Sequence, residues 1–283
     1  MGDVMSNMPN GLPKKVVKEI CSFIQMRNIG LYDISEPLKN GIFNIIENDC
    51  TVIYYPIEDV DEKNDGFLLS NIPMKDGTNK NIIFINTYQT EEKQVFAAAH
   101  EWGHYLGVDK YIKEKCGNDL NSEDIVNRFA AELLMPSDMF RRNFFEFARK
   151  KEKVNHCISS HDMFIIIADL MNKFSVPYNA VAIRLFETEI INETDAKMLV
   201  DGNKSMSLKN IKMIMEKIIS TGDYGTLTTR SKKCEIKGLE ELLDLAEKND
   251  LVSKIKMNRL REKFRIISNK RKILRKDFII SEE

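Results

Sequence analysis

The sequence lacks any apolar run of the length needed to cross a membrane. No stretch approaches about 18 consecutive apolar residues, and no secretory signal pattern is present. We therefore expect a cytoplasmic protein without membrane contact. The five cysteines are odd in number and widely spaced, and no Cys-x-x-Cys pair occurs. This pattern disfavours a disulfide framework and predicts free thiols in a reducing compartment.

Net charge is also nearly absent, at −1, but the charges are unevenly distributed. Residues 1–140 carry 13 basic and 22 acidic residues, whereas residues 141–283 carry 29 basic and 21 acidic ones. Eleven bases and a single acid, Glu262, lie within residues 252–276. This basic tail could bind nucleic acid or an acidic partner, and a solvated basic helix is the alternative. The candidate contact residues are Lys270, Arg271, Lys272 and Arg275.

Histidine is scarce, and two of the four histidines belong to the motif His-Glu-x-x-His. His100 and His104 occupy helical positions i and i+4, so their imidazoles lie on one face and can bind one metal ion. Glu101 lies beside both, where its carboxylate can reach a metal-bound water without being a ligand. Ala97 and Gly103 are small and lie near this face, so another helix can approach closely. The motif predicts a zinc hydrolase, and an ordinary amphipathic helix is the alternative.

A second helix is predicted over about residues 123–135, with Ser122 as its N-cap and Pro136 as its stop. A zinc site built on two histidines needs a third protein ligand and leaves the fourth position for water. Glu123 is the candidate for this third ligand. Asn127 follows one helical turn later on the same face, where it could orient a ligand through a hydrogen bond.

Glu132 is the rival for the third ligand position. It follows Glu123 by nine residues, which at about 100° per residue places it on the opposite side of the helix. If Asn127 and Ala130 face the first helix, Glu132 therefore faces away from it. This geometry favours Glu123.

Two stretches of the sequence together resemble the ImmA/IrrE-type metallopeptidase family. The first covers residues 96–107, and the second covers residues 123–136, which read Glu-x-x-x-Asn-Arg-Phe-Ala-Ala-Glu-Leu-Leu-Met-Pro. The resemblance is close in these stretches and looser over the rest of residues 15–190. Val126 departs from the family pattern, which usually has alanine beside the asparagine. This departure alters packing and touches no candidate ligand.

The resemblance implies a gluzincin-like endopeptidase, in which two histidines and a downstream glutamate bind zinc. By position, the ligands are His100, His104 and Glu123, and the general base is Glu101. Zn²⁺ is the expected ion, with another divalent metal such as Mn²⁺ as the alternative. Proteins of this kind typically cleave a helix-turn-helix repressor or an antitoxin-like regulator, which triggers a stress, phage-defence or mobile-element response. The competing hypothesis is a metal-containing regulator that binds nucleic acid and cleaves nothing.

The apolar period predicts an α+β fold, and the resemblance makes residues 14–150 a zincin-like peptidase domain. Helices are expected over residues 14–27 and 36–47, the second with Ser35 as its N-cap. Residues 108–121 are charged and rich in turn formers, so we expect them to form a loop between the two metal-binding helices.

Three β-rich runs precede the metal-binding helix, at residues 51–56, 67–70 and 81–86. In zincins, an edge strand beside the active-site helix holds the substrate backbone in extended form. By this resemblance, either of the last two runs is the candidate for strand addition. The alternative is that the chosen run is an interior strand.

Residues 151–192 are predicted to form a helical extension. Helices over residues 162–173 and 177–187 resemble a helix-turn-helix, with Ser175 as the N-cap of the second. A structural or partner-docking role is favoured over DNA reading, because the second helix has only Arg184 as a base.

The third predicted region, residues 205–283, is mostly helical, basic and of unknown role. Residues 188–206 are polar and predict a linker. A helix is expected from Ser207 and another over residues 238–248, whereas the pattern of residues 221–237 is ambiguous.

Overall fold

A computed structural model describes seven stretches of the chain, namely residues 12–27, 36–58, 65–73, 79–151, 158–202, 206–248 and 253–264. The predicted N-cap Ser35 and the four candidate tail residues from Lys270 to Arg275 lie outside these stretches.

The first half of the chain builds a small sheet and the helices around it. Its elements are α1 (Lys14–Met26), α2 (Gly41–Asp49), β1 (Thr51–Tyr55), β2 (Gly66–Pro73), β3 (Asn79–Asn86), α3 (Glu91–Leu106), α4 (Val108–Cys116), α5 (Ser122–Leu134) and α6 (Ser137–Lys151).

The second half is mainly helical. Its elements are α7 (Ser160–Phe174), α8 (Tyr178–Glu187), α9 (Glu193–Asp201), α10 (Leu208–Thr221), a short 3₁₀ helix (Gly225–Thr228), β4 (Glu235–Ile236), α11 (Leu239–Lys248) and α12 (Lys254–Lys263). The chain therefore has the expected α+β fold, a zincin-like sheet-and-helix domain followed by a helical region.

The described sheet has the strand order β2-β3-β1-β4. β1 runs parallel to β3, whereas β2 pairs with β3 and β4 pairs with β1 in antiparallel fashion. The inner face carries Val52, Tyr54, Ile83 and Ile85, each at most 3% exposed, and it packs against α2 and α3. β2 is an edge strand, as predicted for residues 67–70. The alternative candidate at residues 81–86 is wrong, because β3 lies between two strands.

The helix α3 begins after Thr90 and ends at Gly107. Glu91 and Glu92 lie in its first turn, where negative charge complements the positive end of the helix dipole. Gly107 adopts a left-handed conformation with φ of 66°, which glycine reaches without steric cost and which stops the helix. The motif from His100 to His104 therefore occupies the last two turns of a helix whose length is set at both ends.

Residues 225–237, in the stretch that the sequence left ambiguous, return to the start of α3. The backbone N–H of Glu91 donates to the carbonyl of Thr229 at 3.1 Å. The Thr87 hydroxyl donates to the carbonyl of Lys233 at 2.6 Å, and the N–H of Lys232 donates to the Thr87 carbonyl at 2.9 Å. A chain segment late in the sequence therefore fixes the turn that leads into the metal-motif helix.

Two predicted irregular segments are helical. Residues 108–121 were expected to form a loop, but most of them form α4, because Val108 and Ile112 at i and i+4 are fully buried. Residues 188–206 were expected to be a linker, but they contain α9. This helix is capped by Asn192 and buries three apolar side chains, namely Ala196, Leu199 and Val200. In both segments a short apolar stripe outweighs the polar composition.

Three predicted helix starts are also wrong. α2 begins at Gly41 instead of residue 36, because the preceding turn places Lys39 at φ 46°. Asn121 caps α5 by accepting a hydrogen bond from the Glu123 N–H, and Ser122 is the first helical residue. Ser175 is the left-handed C-cap of α7 instead of the N-cap of α8.

Other expectations are confirmed. α1, α5 and α11 lie where the apolar spacing placed them, and Ser207 caps α10 by accepting from the N–H of Asn210. Four cysteines in the described stretches are free thiols, namely Cys21, Cys50, Cys116 and Cys234.

A buried ion network joins α5 to α8. Arg184 is completely buried and donates to Glu132 at 2.5 Å, to Glu187 at 3.1 Å and to the carbonyl of Met135 at 2.8 Å. Arg128 contacts the same two carboxylates. Buried charges are tolerated only when they are paired and hydrogen-bonded, so these four side chains form one network that holds α8 against α5.

Glu132 should make the fold sensitive to acid. Burial opposes its charged form, but Arg184 and Arg128 outweigh burial and lower its pKa below the ordinary value near 4.5. Its contribution to stability is therefore fully present above that value and is lost as the pH falls through the depressed folded pKa. We expect the free energy of unfolding, measured by urea titration from about pH 6 to about pH 3, to fall steeply. Glu132→Gln should flatten this slope, and an unchanged slope would contradict the assignment.

Gly103 allows α3 and α5 to approach closely. A Cβ at this position would lie 2.9 Å from both Phe129 Cδ1 and Val126 Cγ1, and both side chains are fully buried. Overpacking typically costs about 1–3 kcal/mol, and the better helix propensity of alanine offsets up to about 1 kcal/mol. We expect Gly103→Ala to lower the free energy of unfolding by about 1 kcal/mol in a urea titration. Gly225→Ala is the control, since its Cβ would meet no atom within 4 Å. Equal stability of the two variants would refute this account.

Candidate metal centre

His100, His104 and Glu123 converge where the ends of α3 and α5 meet. Their possible ligand atoms all lie within 4.8 Å of one another. The Glu123 carboxylate is 3.3 Å from His100 Nε2 and 3.4 Å from His104 Nε2, and the two Nε2 atoms are 3.1 Å apart. Among the described residues, this is the group of histidine, cysteine and acidic side chains that could hold a metal ion.

Asn127 contacts the cluster from α5. Its Oδ1 lies 2.9 Å from His100 Nδ1. If this ring nitrogen donates its proton to Asn127, the lone pair of His100 Nε2 faces the other two ligand candidates. The contact thus orients the ring and, with Nδ1 as the donor, leaves Nε2 available to a metal ion.

Asn127→Ala should weaken metal binding without removing a ligand. Loss of a hydrogen bond that orients a metal-binding histidine typically costs about 10–100-fold in affinity. Competition between the protein and a chromophoric chelator for Zn²⁺ measures the change. Asn143→Ala is the matched control, because Asn143 donates to Met139 within α6 at 2.9 Å and has no part in the cluster. An affinity equal to that of the control would show that Asn127 does not orient the ligand.

Charge within the cluster favours a cation. Burial opposes protonation of His100, but its hydrogen bond to Glu123 and the charge of Glu101 outweigh burial and raise its pKa. Burial and the charge of His100 lower the pKa of His104. The hydrogen bond from His100 lowers the pKa of Glu123. The cluster therefore holds an ionised carboxylate beside two imidazoles of which at most one is charged.

Glu101 lies on the sheet side of the cluster and is 7% exposed. The pKa of Glu101 is raised, mainly by burial. The charge of Glu123 also raises this pKa, and the charge of His100 opposes the increase. Its carboxylate accepts a hydrogen bond from the backbone N–H of Leu68 on β2. A side chain at Gly66 would enter this space, because its Cβ would lie 3.6 Å from Glu101 Cγ and 2.8 Å from the carbonyl oxygen of Phe84.

The hydrogen bond from Leu68 also identifies the open edge of β2. The N–H of Asn86 donates to the carbonyl of Asp65 at 2.9 Å, and bonded and non-bonded pairs alternate along an antiparallel ladder. The backbone groups of Gly66 and Leu68 therefore point away from β3, toward the edge that is open in the described part of the sheet. The same edge thus runs past the candidate metal centre and contacts its buried carboxylate.

Comparison with known proteins agrees with this geometry. The Peptidase M78 family, described as the IrrE N-terminal-like domain, matches residues 47–186. Residues 47–186 therefore form a domain of the ImmA/IrrE peptidase family. The matched domain contains the motif helix α3, the helix α5 and three of the four described strands.

A solved structure described as a Mycobacterium tuberculosis transcriptional regulator is similar at 12% identity, with a TM-score of 0.40. The alignment covers 65% of this chain and 49% of that chain, so this protein spans about half the length of its structural neighbour. This similarity is too low to assign a function. The comparison with curated proteins found no match.

The residues of this IrrE-like domain fit a divalent metal ion. Two imidazole nitrogens and one carboxylate are the donor set of many catalytic zinc sites. The Glu123 side chain is 50% exposed, so the cluster can be reached from solvent. Three protein ligands with access for a small molecule are typical of a catalytic site and not of a closed structural one.

Glu132, the rival ligand, points away from the cluster and binds Arg184, as the helical geometry predicted.

None of the described helices, inside or outside the IrrE-like domain, is both long enough and apolar enough to cross a bilayer.

Two contributions to the site were not found from the sequence. The hydrogen bond from Leu68 uses a backbone group, for which a sequence carries no residue signal. The network around Arg184 left a weak signal, because Arg128 and Glu132 are spaced i and i+4 while Arg184 and Glu187 are spaced i and i+3.

Proposed function

We propose that this protein is a zinc-dependent endopeptidase that cleaves a cytoplasmic regulatory protein. The observation that carries the proposal is the convergence of His100, His104 and Glu123, with Glu101 beside them, inside a domain of the Peptidase M78 family. A buried carboxylate next to an accessible set of three ligands has a use in hydrolysis and none in a purely structural metal site.

The protein residues have distinct roles in this proposal. His100, His104 and Glu123 hold the ion, and Asn127 orients His100. When bound, a zinc ion supplies Lewis acidity, which polarises a peptide carbonyl and makes water nucleophilic near neutral pH.

Glu101 moves the proton. Its carboxylate accepts a proton from the attacking water and then delivers it to the nitrogen of the leaving amine. Burial raises the pKa of Glu101, which brings the group nearer to the pH at which it must both accept and release a proton. In the absence of substrate, the hydrogen bond from the Leu68 N–H holds the Glu101 carboxylate at the edge of β2.

The open edge of β2 is the proposed binding site for the substrate backbone. The outward-facing N–H and C=O groups of Gly66 and the C=O group of Leu68 can pair with an extended peptide, which adds to the sheet as a further strand. Because Glu101 contacts the same edge, a peptide bound there lies beside the proposed base.

The biological substrate is proposed to be a helix-turn-helix repressor or an antitoxin-like protein, whose cleavage would trigger a stress, phage-defence or mobile-element response. Reading of DNA by the helical pair α7 and α8 is disfavoured, because Arg184, the basic residue of α8, is completely buried and paired with Glu132. A role of the basic tail in binding nucleic acid stays a prediction.

The test is a search for new peptide ends. The purified chain is incubated with a proteome-derived peptide library and Zn²⁺, and in parallel with Mn²⁺, and mass spectrometry counts the new N-termini. We expect internal cleavage that requires the metal and is absent with Glu101→Gln. Equal numbers of new ends for both proteins, or none for either, would contradict the proposal.

A further inference from the structure

β2 exposes two apolar side chains on one face. Phe67 is 38% exposed and Leu69 is 44% exposed, and residues two apart in a strand lie on the same face. The opposite face of β2 carries Gly66 and faces α3, because a Cβ at Gly66 would lie beside Ala97 and Glu101. The face with Phe67 and Leu69 therefore points away from α3. Large apolar side chains that remain exposed beside a proposed binding edge need an explanation.

The Phe67 ring is held in place. It stacks on Phe84 of β3 with ring centroids 4.8 Å apart and an angle of 14° between the planes. Phe84 is only 7% exposed, so the outer ring rests on a buried one. Leu69 is paired with Ile82 in the neighbouring strand. The two side chains therefore form a backed apolar surface, which we call the β2 ledge (Phe67 and Leu69).

The β2 ledge lies on the same strand whose edge contacts Glu101 of the candidate site. Leu68, between its two residues, donates its backbone N–H to Glu101. A peptide that pairs with the open edge beside Leu68 must place alternate side chains on the same face as the ledge, at the distance of direct cross-strand neighbours. The occupant of this surface is therefore the segment whose backbone binds the edge.

We infer that the β2 ledge selects the substrate. The segment bound at the edge carries apolar side chains at two positions two residues apart, close to the scissile bond, and these cover Phe67 and Leu69. The inference rests on the proposed peptidase function and adds the substrate class, an extended peptide with an apolar-x-apolar pattern. The gain comes from removing apolar surface from water on both partners.

The peptide library distinguishes this inference from the proposed function. The cleavage sites of the wild-type chain are aligned and compared with those of Phe67→Ser and Leu69→Ser. Met213→Ser is the matched control, because Met213 on α10 is 58% exposed and lies outside the site. We expect an apolar-x-apolar preference in the wild type and the control. In each ledge variant, cleavage of matching peptides should fall about tenfold or more, as for a lost hydrophobic contact in a specificity pocket.

A binding measurement supplies a second readout without turnover. A cleaved peptide and its counterpart with both apolar residues changed to serine are titrated against Glu101→Gln, and fluorescence anisotropy reports the affinity. Weaker binding of the serine peptide supports the inference. Addition of Leu69→Ser to the Glu101→Gln protein should then remove the difference in affinity between the two peptides. Cleavage that depends on Glu101 but shows no apolar preference, or the same preference in both ledge variants, overturns the inference and leaves the proposed function intact. Absence of cleavage that depends on Glu101 overturns both.

Discussion

Glu101→Gln should reduce peptide cleavage by about 10³-fold, within the range expected for loss of a general acid–base group. Glutamine keeps the size and much of the hydrogen-bonding capacity of the side chain but cannot take a proton from water. Because Glu101 is not among the three candidate ligands, the affinity for Zn²⁺ should change little. Cleavage rates and metal affinity, measured on the same preparation, test both halves of this prediction.

His100→Ala is the companion variant. It removes a candidate ligand, so metal affinity and cleavage should be lost together. Comparison of the two variants separates metal binding, which requires His100, from proton transfer, which requires Glu101. If Glu101→Gln cleaves at the wild-type rate, or loses its metal as His100→Ala should, the assigned roles are wrong.

Arg184→Met should destabilise the fold by about 3–5 kcal/mol, the usual cost of removing one partner from a buried ion network. Methionine fills much of the space, but it leaves Glu132 and Glu187 competing for Arg128, inside a region where neither carboxylate can be hydrated well. It also leaves the carbonyl of Met135 without its two hydrogen bonds from Arg184. Urea unfolding at neutral pH measures the loss.

An exposed ion pair on the neighbouring helix α9 provides the control. Lys197 and Glu193 are spaced i and i+4, with both side chains more than half exposed, and such pairs contribute little because water screens them. Lys197→Met should leave the unfolding curve unchanged within error. If Arg184→Met behaves like this control, the network does not hold α8 against α5.

The candidate site could be predicted because its signals are local. His100 and His104 lie on one helix face, so their spacing alone brings them together, and the same periodicity separates Glu123 from Glu132 on α5. The convergence of the two helices could be inferred only from small residues such as Gly103, whose role depends on which neighbour it meets.

What the sequence did not reveal depends on contacts distant in the chain. β4 is two residues long and exists because β1 offers it a partner, so it has no periodic signal of its own. Arg184 looks like a surface base until its partners on α5 are known. A loop was predicted at α4 because the charged residues on its outer face are more numerous than its two buried apolar residues, Val108 and Ile112.

The return of residues 225–237 to the start of α3 has a consequence for biosynthesis. Thr87 and Lys233, which bond to each other, are separated by 146 residues. Ribosomes add about 5–20 residues per second, so the two partners emerge roughly 7–30 s apart. For most of that interval the nascent chain contains the complete His-Glu-x-x-His motif, but the turn that leads into its helix has not yet made these hydrogen bonds. These hydrogen bonds can therefore form only after residue 233 has left the ribosome.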